Sequence, residues 1–322
     1  MNSKSVPPSA APDVVGAFRF LCGPGQLLRD DPIVKAGKKG KSHLHQFYGN
    51  LEADANSTYE SLRQSGESTC SNDLNRSAYW MPALLDGKGN AIRPNHIATY
   101  YKRRPKSDPW FKETGNIPTV LPRGLRYVFG WNVDRAGDPQ EENRKHFDWK
   151  CIDVWTPVVA GSMDAALAAC KPGMKLAVTI TSSDCWDGKN LDAPDHRAHM
   201  ANMRSGADHD WVKKCPSSHP YVVAKFTMTA EWTIEKGDDT RKWMIASDHM
   251  LPAGEARGSS MHADWLGAWE DSVMQRWHDN CIDKMLNCSD GDLGDGTIMK
   301  RNQHYPKERA APRVVGVPDR ST

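Results

Sequence analysis

The sequence lacks several features that would assign it to a common class of protein. No pair of its eight cysteines is spaced as CxxC, which argues against a zinc ribbon and a thioredoxin-type redox motif. No apolar run is long enough to span a membrane, and no GxSxG motif marks the nucleophile elbow of a serine hydrolase. The formal net charge is only +2, and no fixed-period repeat occurs. We therefore expect neither a membrane span nor a nucleic-acid partner.

The one short basic run covers residues 35–41 and reads KAGKKGK. A brief run of lysines between glycines is typical of a solvated loop, and we interpret it in that way. Contact with a polyanion is the alternative interpretation of the same run.

The eight cysteines are widely spaced and even in number, which is typical of a disulfide framework in an oxidising compartment. We therefore predict a secreted protein with four disulfides, rather than buried free thiols. Cys281 and Cys288 lie close enough for a local bridge, and a bridge from Cys185 to Cys215 would tie down a polar segment. Residues 1–16 are polar and rich in Pro, Ala and Ser, so we interpret them as a linker that follows a removed signal peptide.

Alternation of apolar and polar residues predicts a mainly β protein with long loops. The clearest case is residues 222–231, in which Val222, Ala224, Phe226, Met228 and Ala230 share one face. We expect one β-rich domain of catalytic type over residues 17–302, most simply a sandwich or jelly roll with a C-terminal α-helix. A mobile tail would follow over residues 303–322.

Two helices are predicted from the apolar pattern. Residues 163–170 are rich in alanine and predict one short helix. Apolar residues spaced by three and four predict a longer helix that begins near Asp264 as its N-cap. Its apolar positions are Trp265, Leu266, Trp269, Val273, Trp277, Cys281 and Met285. Residues 242–250 are expected to form a further strand that ends in Asp248 and His249.

The most polar segment follows a predicted strand and covers residues 185–200, CWDGKNLDAPDHRAHM. It holds three aspartates, two histidines and one tryptophan, and such a composition cannot form a core. Loops at strand ends often carry binding and catalytic groups. We predict that this segment forms part of a functional site.

A second candidate feature is the His-x-His pattern of His43 and His45. On a strand these two imidazoles point to the same side and can be directed at one metal ion or one substrate. Pairing with carboxylates at a sheet face is the structural alternative. We predict that residues 185–199 and the His-x-His strand meet in one pocket.

Several stretches together resemble the family of the domain of unknown function numbered nineteen ninety-six. They are DPIVKAGKKGKSHLHQFYGN, CSNDLNRSAYWMPALLD, PRGLRYVFGW, CWDGKNLDAPDHRAHM, CPSSHPYVVAKFTMTAEW and MHADWLGAWEDSVMQRWHDNC. The resemblance covers roughly residues 22–288 and implies a secreted protein of a kind that is found beside carbohydrate-binding modules. It implies no activity. The matching polar positions are Asp31, His43, His45, Asp187, Asp192, Asp195, His196, His199, His219, Asp248, His262 and Asp264.

The first functional hypothesis is a secreted, carbohydrate-active enzyme that cleaves a polysaccharide. A glycoside hydrolase needs one carboxylic acid and a second carboxylate as base or nucleophile, whereas a polysaccharide lyase uses a base such as His or Tyr. We favour hydrolysis, because carboxylates outnumber obvious carboxylate-binding basic residues. The candidate catalytic residues are Asp187, Asp195, Glu231, Asp248, Asp264, His219 and His262, and the candidate sugar-stacking residues are Tyr48, Trp186 and Trp232.

The second hypothesis is a metal protein. His43 and His45 together with His196 or His199 would form a histidine-rich set of ligands, with zinc suited to hydrolysis and copper suited to redox chemistry. Calcium is less suited, because the loop at residues 289–296 has Gly294 where a third regularly spaced carboxylate is needed. The third hypothesis is a non-catalytic carbohydrate-binding protein, in which exposed residues among the twelve tryptophans would bind sugar.

Overall fold

The longest strand follows the alternation in the sequence. The computed structural model describes residues 15–132, 146–205, 212–289, 291–302 and 312–318, and in it Lys225–Thr233 forms one strand. Phe226, Met228 and Ala230 are buried on one face, as predicted, while the residues between them are partly exposed. One face of this strand therefore lies on a core and the other faces outward.

Strands dominate the described residues. In chain order they are β1 Gly16–Cys22, β2 Pro24–Leu28, β3 His45–Gly49, β4 Ala78–Pro82, β5 Leu84–Leu85, β6 Asn90–Ile92, β7 His96–Arg103, β8 Ile117–Pro118, β9 Arg126–Gly130, β10 Phe147–Asp153, β11 Thr156–Gly161, β12 Lys175–Thr181, β13 Cys185–Trp186, β14 Met200–Ala201, β15 Tyr221–Val222, β16 Lys225–Thr233, β17 Met244–Ile245, β18 His262–Leu266, β19 Asn287–Cys288 and β20 Val314–Gly316. The α-helices are α1 Tyr59–Gln64, α2 Pro109–Thr114, α3 Met163–Ala169 and α4 Asp271–Trp277. Helix α3 confirms the short alanine-rich helix.

Two large sheets form a sandwich, which confirms the mainly β prediction. The seven-stranded sheet has the order β11-β10-β12-β16-β7-β1-β19, and the five-stranded sheet has the order β2-β3-β4-β18-β9. The ring of Phe226, from the first sheet, lies 5.5 Å from that of Phe129 and 5.2 Å from that of Trp265, both from the second. Apolar side chains from both sheets thus share one core.

The five-stranded sheet is buried on its other face as well. Phe47, Trp80 and Val128 point away from the sandwich core and form a second apolar cluster with Ile33 and Leu62, which belong to the segments beside the sheet. Strands β3, β4 and β18 are consequently buried along their whole length. The histidines of the candidate site described below lie on this second face, at one end of the sheet.

The predicted helix from Asp264 is wrong at its start. His262–Leu266 is strand β18, and the helix begins only at Asp271, with Glu270 as its N-cap. A strand that is covered on both faces has apolar residues at successive positions, so its pattern does not exclude a helix. The tryptophans that suggested helical spacing are core residues in both elements.

The strand predicted over residues 242–250 is also mostly wrong. Only Met244–Ile245 pairs as a strand, and a 3₁₀ turn follows at Asp248–Met250. The carboxylate of Asp248 accepts hydrogen bonds from the backbone N–H groups of Ile245 and Gly258, so the chain turns around this side chain instead of extending.

All eight cysteines form disulfides, as the framework prediction required. The predicted pairs Cys281–Cys288 and Cys185–Cys215 are confirmed, and the other two bridges join Cys22 to Cys70 and Cys151 to Cys170. Residues 1–14 of the predicted linker and residues 303–311 and 319–322 of the predicted tail lie outside the described residues. Within the remainder of that tail, strand β20 pairs with β6. Among the described helices, none is both long and apolar enough to cross a membrane.

Candidate metal centre

Three histidines converge at one end of the five-stranded sheet. His45 is the first residue of β3, His262 is the first residue of β18, and both strands pair with β4, which lies between them. His43 precedes β3 by two residues, and its ring centroid lies 4.2 Å from that of His45 and 4.9 Å from that of His262. Each histidine offers one ring nitrogen, and these three atoms lie within 4.8 Å of one another. The arrangement could hold one metal ion.

Backbone carbonyls orient two of the three rings. Nδ1 of His45 lies 2.9 Å from the carbonyl oxygen of Asp30, and Nδ1 of His262 lies 2.8 Å from that of Ser260. Because a carbonyl oxygen can only accept, each Nδ1 carries the proton and each Nε2 keeps a lone pair. This is the tautomer that a metal-ligating histidine adopts when its second nitrogen is held by the protein.

Burial keeps the three imidazoles neutral. It lowers the pKa of His43 well below its usual range, and the neighbouring rings of His45 and His262 lower it further. It also lowers the pKa of His45, and it lowers the pKa of His262 to about 3. Nε2 of His43 and Nε2 of His45 are buried, and neither has a hydrogen-bond partner among the described residues. A bound cation would satisfy these otherwise unpaired acceptors.

Two carboxyl groups adjoin the histidines. Asp264 follows His262 by two residues on β18 and therefore points to the same face of the sheet. Oxygens of Asp31 and Asp264 and a ring nitrogen of His45 lie within 4.8 Å of one another. Both oxygens of Asp264 are buried without a hydrogen-bond partner among the described residues. Burial raises the pKa of Asp264 well above its usual range, and the charge of Asp31 raises it further.

A glycine allows the neighbouring strand to approach the site. Gly130 on β9 pairs with His262 and has φ +85°, a backbone conformation that is unfavourable for other residues. A Cβ atom at this position would lie 2.7 Å from the carbonyl oxygen of Met261. Residues with side chains would therefore displace the strand that carries His262.

His43 and His262 line a cavity of about 440 Å³. This volume lies within the range of pockets that bind small molecules or parts of polymers. The lining comes from the loop before β3, from β9 and β18, and from two loops beyond the sheet. The lining residues are Arg29, Asp31, Val34, Lys35, Gly40, Lys41, Ser42, His43, Val128, Trp131, Arg197, His249, Met250, His262 and Asp264.

The polar segment at residues 185–200 reaches this cavity through one residue, Arg197. Its guanidinium donates hydrogen bonds to the carbonyl oxygens of Gly130 and Trp131. The carboxylate of Asp195 accepts hydrogen bonds from the backbone N–H groups of Arg197 and Ala198, so it fixes the turn that directs Arg197. Asp195 itself is exposed and does not line the cavity.

The other two predicted metal ligands lie outside the three-histidine group. His196 pairs with Asp192 through Nδ1 at 2.9 Å, and this hydrogen bond raises the pKa of His196. Nε2 of His199 lies 2.9 Å from the carbonyl oxygen of Arg126, to which it donates, and burial lowers the pKa of His199. The third histidine that converges with His43 and His45 is thus His262, which we had expected to be catalytic.

Asp248 supports the site without lining the cavity. Besides its two backbone donors, it accepts a hydrogen bond of 2.7 Å from the hydroxyl of Ser260. The carbonyl of Ser260 in turn accepts the Nδ1 proton of His262. Burial raises the pKa of Asp248. The residue therefore holds the loop that positions His262.

The remaining predicted site residues are distributed elsewhere. Glu231 lies on the outer face of the seven-stranded sheet, where it forms an ion pair of 2.7 Å with Lys175. Nε2 of His219 donates to the carbonyl of Ala198, and the carboxylate of Asp187 accepts backbone hydrogen bonds within its own turn. None of these residues lines the cavity.

The predicted sugar-stacking residues do not form a common surface. Tyr48 and Trp232 are fully buried in the sandwich core, and the indole N–H of Trp232 donates to the carbonyl of Ile92. Trp186 is partly exposed, and its indole N–H donates to the carbonyl of Asn190. In the loop considered for calcium, Asp295 is paired with Arg276.

Sequence reasoning missed Arg29 and Arg197 as lining residues and missed His262 as a partner of the His-x-His pair. A signal for His262 was present, because His262 and Asp264 alternate in the same way as His43 and His45. The helix prediction placed His262 before an N-cap and so concealed that alternation.

One family model matches the chain, that of the domain of unknown function DUF1996, over residues 31–269 of the 322. The match spans the histidines, both carboxyl groups and the polar segment. No curated protein and no solved structure matches the chain significantly.

Proposed function

The chain belongs to the DUF1996 family, and from its site we propose that it is a secreted, metal-dependent enzyme that cleaves a polysaccharide. The observation that carries this proposal is the convergence of His43, His45 and His262 beside a cavity that His43 and His262 line. Two of these neutral imidazoles begin strands of the sheet and the third lies in the loop just before β3, so the ligand set is already assembled around one point.

Zinc is the metal that this ligand set favours. Three histidines with one remaining position that faces a cavity are a known catalytic zinc arrangement. Bound there, zinc would lower the pKa of a water molecule toward neutrality and polarise a substrate oxygen. In hydrolysis the water oxygen would bond to the anomeric carbon and give up a proton, while the glycosidic bond breaks and the leaving oxygen takes up a proton. Asp31 and Asp264, the two carboxyl groups that line the cavity beside the histidines, are the candidates to accept the first proton and to donate the second.

The distribution of carboxylates supports a metal mechanism over a hydrolase that uses two carboxylates alone. Glu231 is on the far sheet, while Asp187 and Asp195 hold turns through backbone hydrogen bonds. Asp248 is bonded to three donors away from the cavity. Asp264 and Asp31 are the carboxyl groups that line the cavity, and both lie beside the histidines.

Secretion is supported by the four disulfides, because disulfides persist in oxidising compartments. A polysaccharide substrate is supported by the resemblance to secreted proteins found beside carbohydrate-binding modules.

The test has two parts. Elemental analysis of the purified protein is expected to find about one zinc ion for each chain, and copper in its place would redirect the proposal to redox chemistry. A screen against α- and β-glucans, mannans, chitin and uronic-acid polymers, with and without a chelator, would then identify the reaction. New reducing ends indicate hydrolysis, and ultraviolet-absorbing unsaturated ends indicate elimination.

The control variant is His219→Ala, which alters a predicted catalytic histidine outside the cavity. We expect activity to be lost in His262→Ala and retained in His219→Ala. Metal binding without cleavage of any polymer would contradict the proposal that the protein is an enzyme. It would favour a non-catalytic carbohydrate-binding protein.

A further inference from the structure

The basic run at residues 35–41 forms one wall of the cavity. Lys35, Gly40 and Lys41 all line it, and both lysines are exposed. From the sequence alone, a solvated loop is the favoured interpretation of this run and contact with a polyanion is the alternative. Because the run lines the cavity that two of the histidines also line, its positive charge lies where a ligand would bind. The sequence alone could not show this position.

The loop is held in place by backbone and carboxylate hydrogen bonds. The N–H of Gly40 donates to Asp30 at 2.7 Å, and the N–H of Gly37 donates to the carbonyl of Ala55 at 2.7 Å. The N–H of Ser42 donates to the carbonyl of Arg29 at 2.8 Å. The lysines therefore project from a fixed backbone, which reduces the ordering cost of binding a ligand.

Two arginines add to the positive charge of the lysines. Nε of Arg29 is buried and has no hydrogen-bond partner among the described residues. Arg197 also lines the cavity, and its guanidinium is held by hydrogen bonds to two backbone carbonyls. The lining thus has four basic groups, from Arg29, Lys35, Lys41 and Arg197, against the two carboxyl groups of Asp31 and Asp264. A divalent metal on the histidines would increase this positive excess.

We propose that the polysaccharide bound in this cavity is anionic and carries carboxylate groups, as chains of uronic acids do. This inference rests on the proposed function, because it assigns the substrate class of the same site. Arginine and lysine side chains around the cavity would bind carboxylates on successive sugars through ion pairs that neutral sugars cannot form. A neutral glucan would accept hydrogen bonds from the four basic groups but would not neutralise their charge.

The experiment measures binding of oligosaccharides to the full chain by calorimetry at low and high salt. The probes are oligomers of galacturonate, glucuronate and mannuronate, neutral oligomers of glucose and N-acetylglucosamine, and sulfated oligosaccharides. We expect one of the uronate oligomers to bind at least tenfold more tightly than the neutral oligomers, and to lose affinity as salt increases.

The test variant is the double substitution Lys35→Ala and Lys41→Ala. Both residues are exposed, so the fold should be unaffected, and we expect uronate affinity to decrease roughly five- to tenfold at low salt. The matched control is Lys171→Ala with Lys236→Ala, two exposed lysines that do not line the cavity. The control pair should bind as the wild type does.

Three results would overturn the inference: equal binding of neutral oligomers, binding of sulfated but not uronate oligomers, or unchanged uronate affinity in the double variant. Absence of binding to all probes would overturn it as well. The metal content of the same samples reports on the proposed function separately. Salt-dependent uronate binding without any bound metal would refute the proposal of a metal-dependent enzyme. It would still support an anionic polysaccharide as the ligand.

Discussion

Asp30 joins the basic loop to His45, a candidate metal ligand. Its carbonyl oxygen accepts the Nδ1 proton of His45 at 2.9 Å, while its carboxylate accepts the backbone N–H groups of Gly40 at 2.7 Å and Ala55 at 3.1 Å. One buried residue thus fixes the tautomer of a candidate ligand and the wall of the cavity. Asp30 therefore links the candidate metal site to the basic loop, and the two proposals concern one region of the protein.

The first prediction concerns His43, the least buried of the three histidines. In His43→Ala we expect zinc affinity to decrease by at least roughly a hundredfold, because one of three protein ligands is removed. Zinc at a hundred times its dissociation constant for the wild type should stabilise the wild type by about 2.7 kcal/mol, and the same zinc concentration should stabilise the variant by about 0.4 kcal/mol or less. Thermal unfolding with and without zinc measures it.

His219→Ala is the matched histidine control for this measurement. Its side chain is partly exposed and bonded to the carbonyl of Ala198, away from the cavity. Equal zinc stabilisation of the wild type and His43→Ala would show that the metal, if it binds, does not use these three rings.

The second prediction separates the positioning role of Asp248 from a catalytic role. Asp248→Ala leaves the N–H groups of Ile245 and Gly258 and the hydroxyl of Ser260 without their acceptor. We expect a loss of about 2 to 4 kcal/mol in unfolding free energy and a roughly ten- to hundredfold decrease in zinc affinity. Urea unfolding and zinc titration measure the two effects.

Asp248→Asn is the informative companion. Its amide oxygen can keep both backbone bonds, which end on the same carboxylate oxygen, and its amide N–H can donate to Ser260. We expect near wild-type stability and activity. If the carboxyl group of Asp248 were catalytic, the asparagine variant would instead lose activity although its fold is intact.

The third prediction is a pH dependence that arises outside the site. Burial lowers the pKa of His278 to about 4, and the positive charge of Arg103 contributes to this decrease. Between this value and about 6.5, the unfolded chain binds a proton that the folded chain does not. The contribution of His278 to the free energy of unfolding is therefore complete above about pH 6.5. It decreases as pH falls toward 4, by up to roughly 3 kcal/mol.

His278→Gln tests that assignment. Its amide can donate to the carbonyl of Met274, as Nδ1 of His278 does at 2.8 Å, but it does not titrate. Urea unfolding of the metal-free protein at pH 7 and pH 4.5 should show a smaller decrease in the variant than in the wild type. The same decrease in both proteins would assign the acid sensitivity to other groups.

The sequence was sufficient where one periodicity dominated. Strand β16 alternates along its whole length, because one face lies on the core and the other faces outward. The same reasoning failed for β18, whose residues are buried on both faces. Its apolar positions continue into a true helix after Glu270, so a single helical pattern covered two different elements.

For the site, the sequence identified the residue types but not all their partners. His43 and His45 could be paired from their spacing, because a strand places them on one side. Their association with His262 depends on the order of β3, β4 and β18 in the sheet. That order is set by pairings between residues far apart in the chain, which no local pattern contains. Likewise, the lysine run showed its charge but not the cavity beside it.

The last prediction compares two carboxyl groups that sequence reasoning treated alike. Asp264 is buried beside the histidines, and Glu231 is paired with Lys175 on the opposite sheet. Asp264→Asn preserves shape but removes an acid and a candidate ligand, so we expect cleavage to decrease by roughly a hundredfold.

Glu231→Gln should change cleavage by less than about twofold and cost less than about 1 kcal/mol of stability through its ion pair. Initial rates on the polymer found in the screen, with circular dichroism to verify the fold, measure both variants. The reverse result, a large loss in Glu231→Gln with Asp264→Asn active, would place the chemistry on the outer face of the seven-stranded sheet. In that case the histidines would serve structure or binding alone, because no residue of their cavity would take part in bond cleavage.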